Sequence, residues 1–159
     1  MKSKIFKVLL YLFIGIVTLG IIVYAFSKLS TMTREGEFRK YEEGLTIEVK
    51  NSSDQNVGNI RFLFSYVEDK EIGAMEELKP GKKSILTRNK DFYKTGEDLS
   101  LVMEYTLENG QKKRENLLYL YTQTPEKVVA VIDITKIDDN GNISFDLKGF
   151  NGYTKFKNE

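Results

Sequence analysis

The chain contains no cysteine and no histidine, and these two absences remove much of protein chemistry. Without thiols there are no disulfides, no thiolate nucleophiles and no thiolate metal sites. Without imidazole there is no His-based dyad or triad and no imidazole ligand. No cofactor, metal-ligand set or catalytic residue is therefore expected. The sequence also lacks an excess of charge of one sign. Residues 44–159 carry 17 Lys and Arg against 19 Asp and Glu, a net of −2 spread along the chain, so there is no electrostatic footprint for nucleic acid. A domain built without disulfides must rely on its core, and a chain of about 115 residues can bury roughly two-thirds of its unfolded surface.

What the sequence does have is one long apolar run. Val8 to Phe26 contains no charged side chain; as a helix it would extend about 28 Å, against a hydrocarbon core of about 30 Å. Its interruptions, Gly15, Thr18 and Gly20, are tolerated by helices in lipid. Lys2, Lys4 and Lys7 precede it, and the positive-inside bias keeps that end in the cytoplasm. The expected organisation is a basic cytoplasmic end (1–7), an anchor in membrane lipid (8–26), a charged linker (27–44) and one extracytoplasmic domain (45–159) at the cell membrane. The competing reading is a secretory signal, cleaved after the small-x-small pair Ala25 and Ser27, which would release the domain. The length of the run and the bulk of Tyr24 and Phe26 favour an uncleaved anchor.

Beyond Gly44 the hydrophobic period is two. Leu45, Ile47 and Val49 alternate with polar residues, as do Ile60, Phe62, Phe64 and Tyr66, which predicts two half-buried strands. Ile72 to Leu78 is a weaker strand, Lys79-Pro80-Gly81 a tight turn, and Ser84 to Thr87 a short continuation. Leu99, Leu101, Met103, Tyr105 and Leu107 give the clearest alternation, ending at Asn109-Gly110, a dipeptide suited to two-residue hairpins. A return strand becomes apolar at Leu117 and is broken at Thr124-Pro125. Val128 to Ile134 follows, then a turn over Asp138 to Asn142, then a last strand beginning at Ile143. Seven or eight short strands without a second helix predict an all-β, antiparallel two-sheet sandwich behind one N-terminal transmembrane helix.

Ile47-Glu48-Val49-Lys50-Asn51-Ser52-Ser53, followed by Gly58-Asn59-Ile60, an alternating strand to Asp69 and Leu78-Lys79-Pro80-Gly81, resembles the small bacterial Ig-like domains of the FxLYD type. Tyr66-Val67-Glu68-Asp69 stands near the place of that family's aromatic-Leu-Tyr-Asp signature. The resemblance implies an Ig-like sandwich beside a membrane anchor, with no catalytic residues to carry over.

Several clusters invite a chemical reading. Asp138-Asp139-Asn140-Gly141-Asn142 has the oxygens of a calcium loop, but an EF-hand register would place Lys136 and Leu147 at ligand positions that require carboxylates. A hairpin turn is expected instead. Glu76/Glu77 and Glu97/Asp98 could supply an acid and a base, yet neighbouring carboxylates on a strand point to opposite faces. Lys82/Lys83 and Lys112-Lys113-Arg114 read as solvated faces, and Asn51-Ser52-Ser53 fits the glycosylation acceptor pattern. More informative is Leu117-Leu118-Tyr119-Leu120-Tyr121, apolar on both faces, as is Val128 to Ile132. Either Phe150, Tyr153, Phe156 or a loop covers the second face, or an aromatic patch receives a partner. The candidate partner-binding residues are Tyr119, Tyr121, Phe92, Tyr93 and Tyr153. The expected function is a non-catalytic interaction module at the cell envelope with a protein partner. The alternatives are a tethered immunity or inhibitor protein that neutralises an extracellular toxin, and a wall hydrolase using Glu76 or Glu97.

Overall fold

The computed structural model describes residues 2–65, 69–93, 98–120 and 125–158, with the side chains of residues 2–5, Val8 and Tyr93 outside that description. Two units make up the chain, Met1–Gly36 and Glu37–Glu159.

The first unit is a single helix, α1, Lys2–Glu35. From Leu9 to Phe26 its large apolar side chains are 44–73% exposed on every face, so no stripe is set aside for a protein core. The helix is long and apolar enough to cross a membrane. Thr18 Oγ1 donates to Ile14 O at 2.8 Å, which satisfies its hydroxyl within the helix. The stretch expected to be a linker is helical as far as Glu35, then forms a 3-10 turn over Gly36–Lys40. Gly36, at φ 55°, takes the left-handed conformation that commonly stops a helix.

The described residues of the second unit form nine strands: β1 Gly44–Asn51, β2 Ile60–Ser65, β3 Lys70–Met75, β4 Lys83–Arg88, β5 Leu99–Thr106, β6 Lys112–Leu120, β7 Lys127–Ile137, β8 Ile143–Phe150 and β9 Lys155–Lys157. They form a five-stranded sheet, β4-β1-β7-β8-β9, and a four-stranded sheet, β3-β2-β5-β6. The inward faces follow the period of two. Leu45, Ile47 and Val49, beside Val128, Ala130 and Ile132 of the same sheet, share one buried core with Phe62, Phe64, Leu101 and Met103 of the other. One pairing is not antiparallel: β1 runs parallel to β7, from Gly44↔Lys127 to Asn51↔Ile134. Ser84 to Thr87 does not continue β3. After Pro80-Gly81 the chain changes sheets, and β4 pairs with β1. Asn51 fixes that corner. It is wholly buried, its Nδ2 donates to Gln55 O and Leu78 O, each at 2.8 Å, and its Oδ1 accepts from Ser53.

The two segments with apolar residues on both faces have different explanations. On β7 the outward Val129 is buried beneath Phe38 and Phe150 in a second small cluster. Phe150 was among the expected covers; Phe38, from the stretch read as a linker, was not. On β6 the pairs Leu101↔Leu118 and Val102↔Asn116 skip Leu117. Leu117 is the extra residue of a β-bulge, which shifts the alternation by one. Two consecutive leucines therefore meet the core, and among the described residues of this apolar run Tyr119 turns outward.

Candidate functional site

The outward face of the β3-β2-β5-β6 sheet holds Tyr119. Alternation also places Leu63 and Val102 there, as cross-strand partners, yet they are 3% and 2% exposed. Charged side chains lie over them. Arg61 pairs with Glu71 and, at 3.2 Å, with Glu104; Lys112 reaches Glu104 at 3.1 Å. Arg114 on β6 reaches Asp69, just before β3, at 2.9 Å. That side chain therefore spans the row containing Val102 and Leu63. The hydrogen bond from Arg114 holds the Asp69 carboxyl below its usual range. Charges on this face are matched across neighbouring strands, and Tyr119, 46% exposed, stands beside them.

The outward face of the other sheet carries the chain's first aromatic turn. Tyr41 OH donates to Glu48 Oε2 at 2.9 Å, and burial, then the Glu48 carboxylate, pushes its pKa up to about 12. Glu37 accepts from Lys148 at 2.8 Å, a bond that lowers its carboxyl pKa. A cavity of about 340 Å³ lies alongside, lined by Glu48, Lys50, Val131, Asp133, Asp146 and Lys148 among others. Asp133 and Asp146 are cross-strand partners. Lys50 meets Asp133 Oδ2 at 3.3 Å, while Asp133 Oδ1 is buried without a partner among the described residues. Carboxylates and ammonium groups line this cavity together, with Asp133 opposite Asp146 and Lys148 opposite Lys157. Among the described residues no group of three His, Cys, Asp or Glu is placed to hold a metal.

The expected site residues are dispersed. Phe92 lies in a 3-10 turn, Lys90–Tyr93, partly buried against the core with its ring 6.1 Å from that of Phe64. Lys70 Nζ sits 4.2 Å from the Phe92 ring centroid and donates to Phe92 O at 2.8 Å, so Phe92 acts as a plug. Tyr153 is 46% exposed in the turn between β8 and β9, where Asn151 Oδ1 accepts from the amides of Tyr153 and Thr154. Tyr119 and Tyr153 thus belong to different sheets. Tyr121 and Glu97 lie outside the described residues, as does the side chain of Tyr93. Asp138 makes a turn: its Oδ1 accepts from the amides of Asn140 and Asn142 at 2.9 and 2.8 Å. These bonds hold its pKa down.

One surface escaped the sequence reading. Ile85 on β4 is 49% exposed, at the edge of its sheet. The signal was present as an apolar residue centred between the cations of Lys82, Lys83 and Arg88, but nothing local assigns Ser84 to Thr87 to the β4-β1 edge.

No family model matches the chain, and no curated protein matches it. Among solved structures it is similar to the NMR structure of a protein from Eubacterium rectale, at 14% identity over 67% of this chain and 90% of that one, with a TM-score of 0.37. That likeness is too distant to transfer a fold or a function.

Proposed function

We propose that the protein is a single-pass membrane protein whose C-terminal sandwich is held outside the cytoplasm and binds a protein partner without transforming it. The observation that carries this reading is the pairing of a helix with no polar face with a two-sheet domain whose outward faces are lined by charges and a few tyrosines. Lys2, Lys4 and Lys7 ahead of the span support a cytoplasmic N-terminus. We read the sandwich as Ig-like in the broad sense of two facing sheets. Its strand orders, β4-β1-β7-β8-β9 and β3-β2-β5-β6, are not those of an Ig constant domain.

Asn140, exposed in the Asp138–Asn142 turn, provides the test of orientation. Asn140→Cys would carry the only thiol in a chain that otherwise has none. A membrane-impermeant maleimide is expected to label the full-length, membrane-retained variant in intact cells. Labelling only after lysis would place the domain in the cytoplasm and overturn the proposal.

A further inference from the structure

Among the described residues the two sheets have four edge strands, β4 and β9 in one, β3 and β6 in the other, and exposed edges are templates for further pairing unless they are blunted. Three are blunted by shape. β3 carries a bulge at Ile72, where Phe62↔Gly73 is followed by Leu63↔Glu71. β6 carries the Leu117 bulge and the Lys112-Lys113-Arg114 run. β9 is three residues long. β4 is different: its register with β1 is unbroken over six pairs, Leu45↔Arg88 to Lys50↔Lys83.

The backbone direction of β4 follows from two hydrogen bonds. Gly44 N donates to Glu126 O, so Gly44 and every second residue after it turn toward β7; Asn51 N donates to Lys82 O, so the alternate residues turn toward β4. Bonded pairs in an antiparallel ladder recur every second residue. Ser84, Leu86 and Arg88 therefore bond β1, while Lys83, Ile85 and Thr87 point their N–H and C=O groups away from the sheet. The residue at the centre of that outward row is Ile85, whose side chain is also half exposed.

Charge then selects the occupant. Leu78 to Lys90 contains Lys79, Lys82, Lys83, Arg88 and Lys90 and no carboxylate, a local cluster of cations in a domain that is otherwise acidic. Among the described residues Lys83 is 3.9 Å from Glu48 and Lys90 3.4 Å from Glu43, two acids against five cations, while Arg88 donates to Thr87 O and lies 5.9 Å from the Phe92 ring centroid. A second copy of this chain fits poorly: antiparallel pairing about Ile85 would set Lys82 opposite Arg88 on both sides, and like charges directly opposite are destabilising. Among the described residues cations guard this edge, and an acidic strand cancels them.

We propose that β4 receives an extended acidic segment of the protein partner as an added strand, with an aliphatic side chain over Ile85 and carboxylates two and three residues to either side. This rests on the binding-module reading above and names the partner's chemistry. Main-chain bonds to Lys83, Ile85 and the Thr87 N–H would supply affinity, the Thr87 carbonyl already accepting from Arg88 Nη1 at 3.0 Å, and the flanking cations specificity.

The test uses the full-length protein in non-ionic detergent and the fluorescein-labelled peptide Glu-Glu-Thr-Val-Thr-Glu-Glu, followed by fluorescence anisotropy. A second peptide has the same sequence but is N-methylated at Val and at the two Glu residues two positions from it. That change blocks the donors facing β4 and leaves charge untouched. The unmethylated peptide is expected to bind. Methylation, Ile85→Pro and the double change Lys82→Glu/Lys83→Glu are each expected to weaken it about tenfold or more, the factor that one lost charged or main-chain contact provides. Proline at position 85 removes only an outward donor, which edge strands tolerate, and an unchanged melting temperature checks this. If that variant unfolds, methylation against the unaltered protein still decides. Equal binding of both peptides, or no effect of charge reversal, overturns the strand addition. Photo-cross-linkers at Ile85, Tyr119 and Tyr153 in cells separate the two proposals. Adducts from Tyr119 or Tyr153 without any from Ile85 overturn the β4 site and leave the binding module standing. No adduct from any position overturns both.

Discussion

Tyr41 shows how one side chain records its surroundings. Its hydroxyl donates to Glu48 and its pKa is raised to about 12, because ionisation would place a second negative charge in a partly buried site. A group whose folded pKa lies above its unfolded value stabilises fully below the unfolded pKa, near 10 for tyrosine, and that contribution is lost as pH rises through the folded value. The melting temperature of the wild type is therefore expected to fall more steeply between pH 10 and 12 than that of Tyr41→Phe, which has no phenol to ionise. Parallel slopes in thermal denaturation followed by circular dichroism would exclude the Tyr41–Glu48 bond as the cause. Phe38 tells the same story without charge. It is 2% exposed although its sequence neighbours, Glu37, Arg39 and Lys40, are all charged.

At the scale of the element, what was legible depended on regularity. β2 and β5 alternate without interruption within their own residues, and their inward faces match the period of two read from the sequence. The turns at Asp138 to Asn142 and Lys79 to Gly81 were legible because Asp, Asn, Pro and Gly carry their own local geometry. β6 was misread because a bulge is a one-residue phase slip, and a phase slip imitates a strand buried on both faces. β4 was misread because Ser84 to Thr87 contains nothing that tells which sheet it joins; Asn51, distant in sequence, fixes the corner. Deleting Leu117 tests the reading of β6. Leu101↔Leu118 and Val102↔Asn116 would then be consecutive pairs of a regular ladder. The deletion variant is expected to fold with a melting temperature lowered by loss of a buried leucine, about 2–5 kcal/mol. Its flatter edge should make it associate with rising concentration in sedimentation. A variant that stays monomeric at all concentrations would show that the bulge does not guard the edge.

At the scale of the molecule, the compact unit starts at Glu37, not at Leu45 as the alternation indicated. The difference is Phe38 and Tyr41, which pack with Val129, Phe150 and Val131. A fragment of residues 37–159 is expected to unfold cooperatively, whereas one beginning at Gly44 should lose about 3–5 kcal/mol, the typical cost of removing a buried phenylalanine. Equal urea midpoints and slopes for the two fragments would show that the turn contributes nothing to the domain.

The parallel pairing of β1 with β7 fixes the order in which the domain can be completed. β1 emerges directly after the helix and its polar flank, and β4 can pair with one of its edges early, but β7, on the other edge, arrives about eighty residues later, and contacts so far apart in sequence are closed slowly. Synthesis from the N-terminus would therefore deliver β1 well before β7 arrives to complete its pairing. The interval between these two strands is when the nascent chain is most open to proteases, to chaperones and to mispairing with other chains.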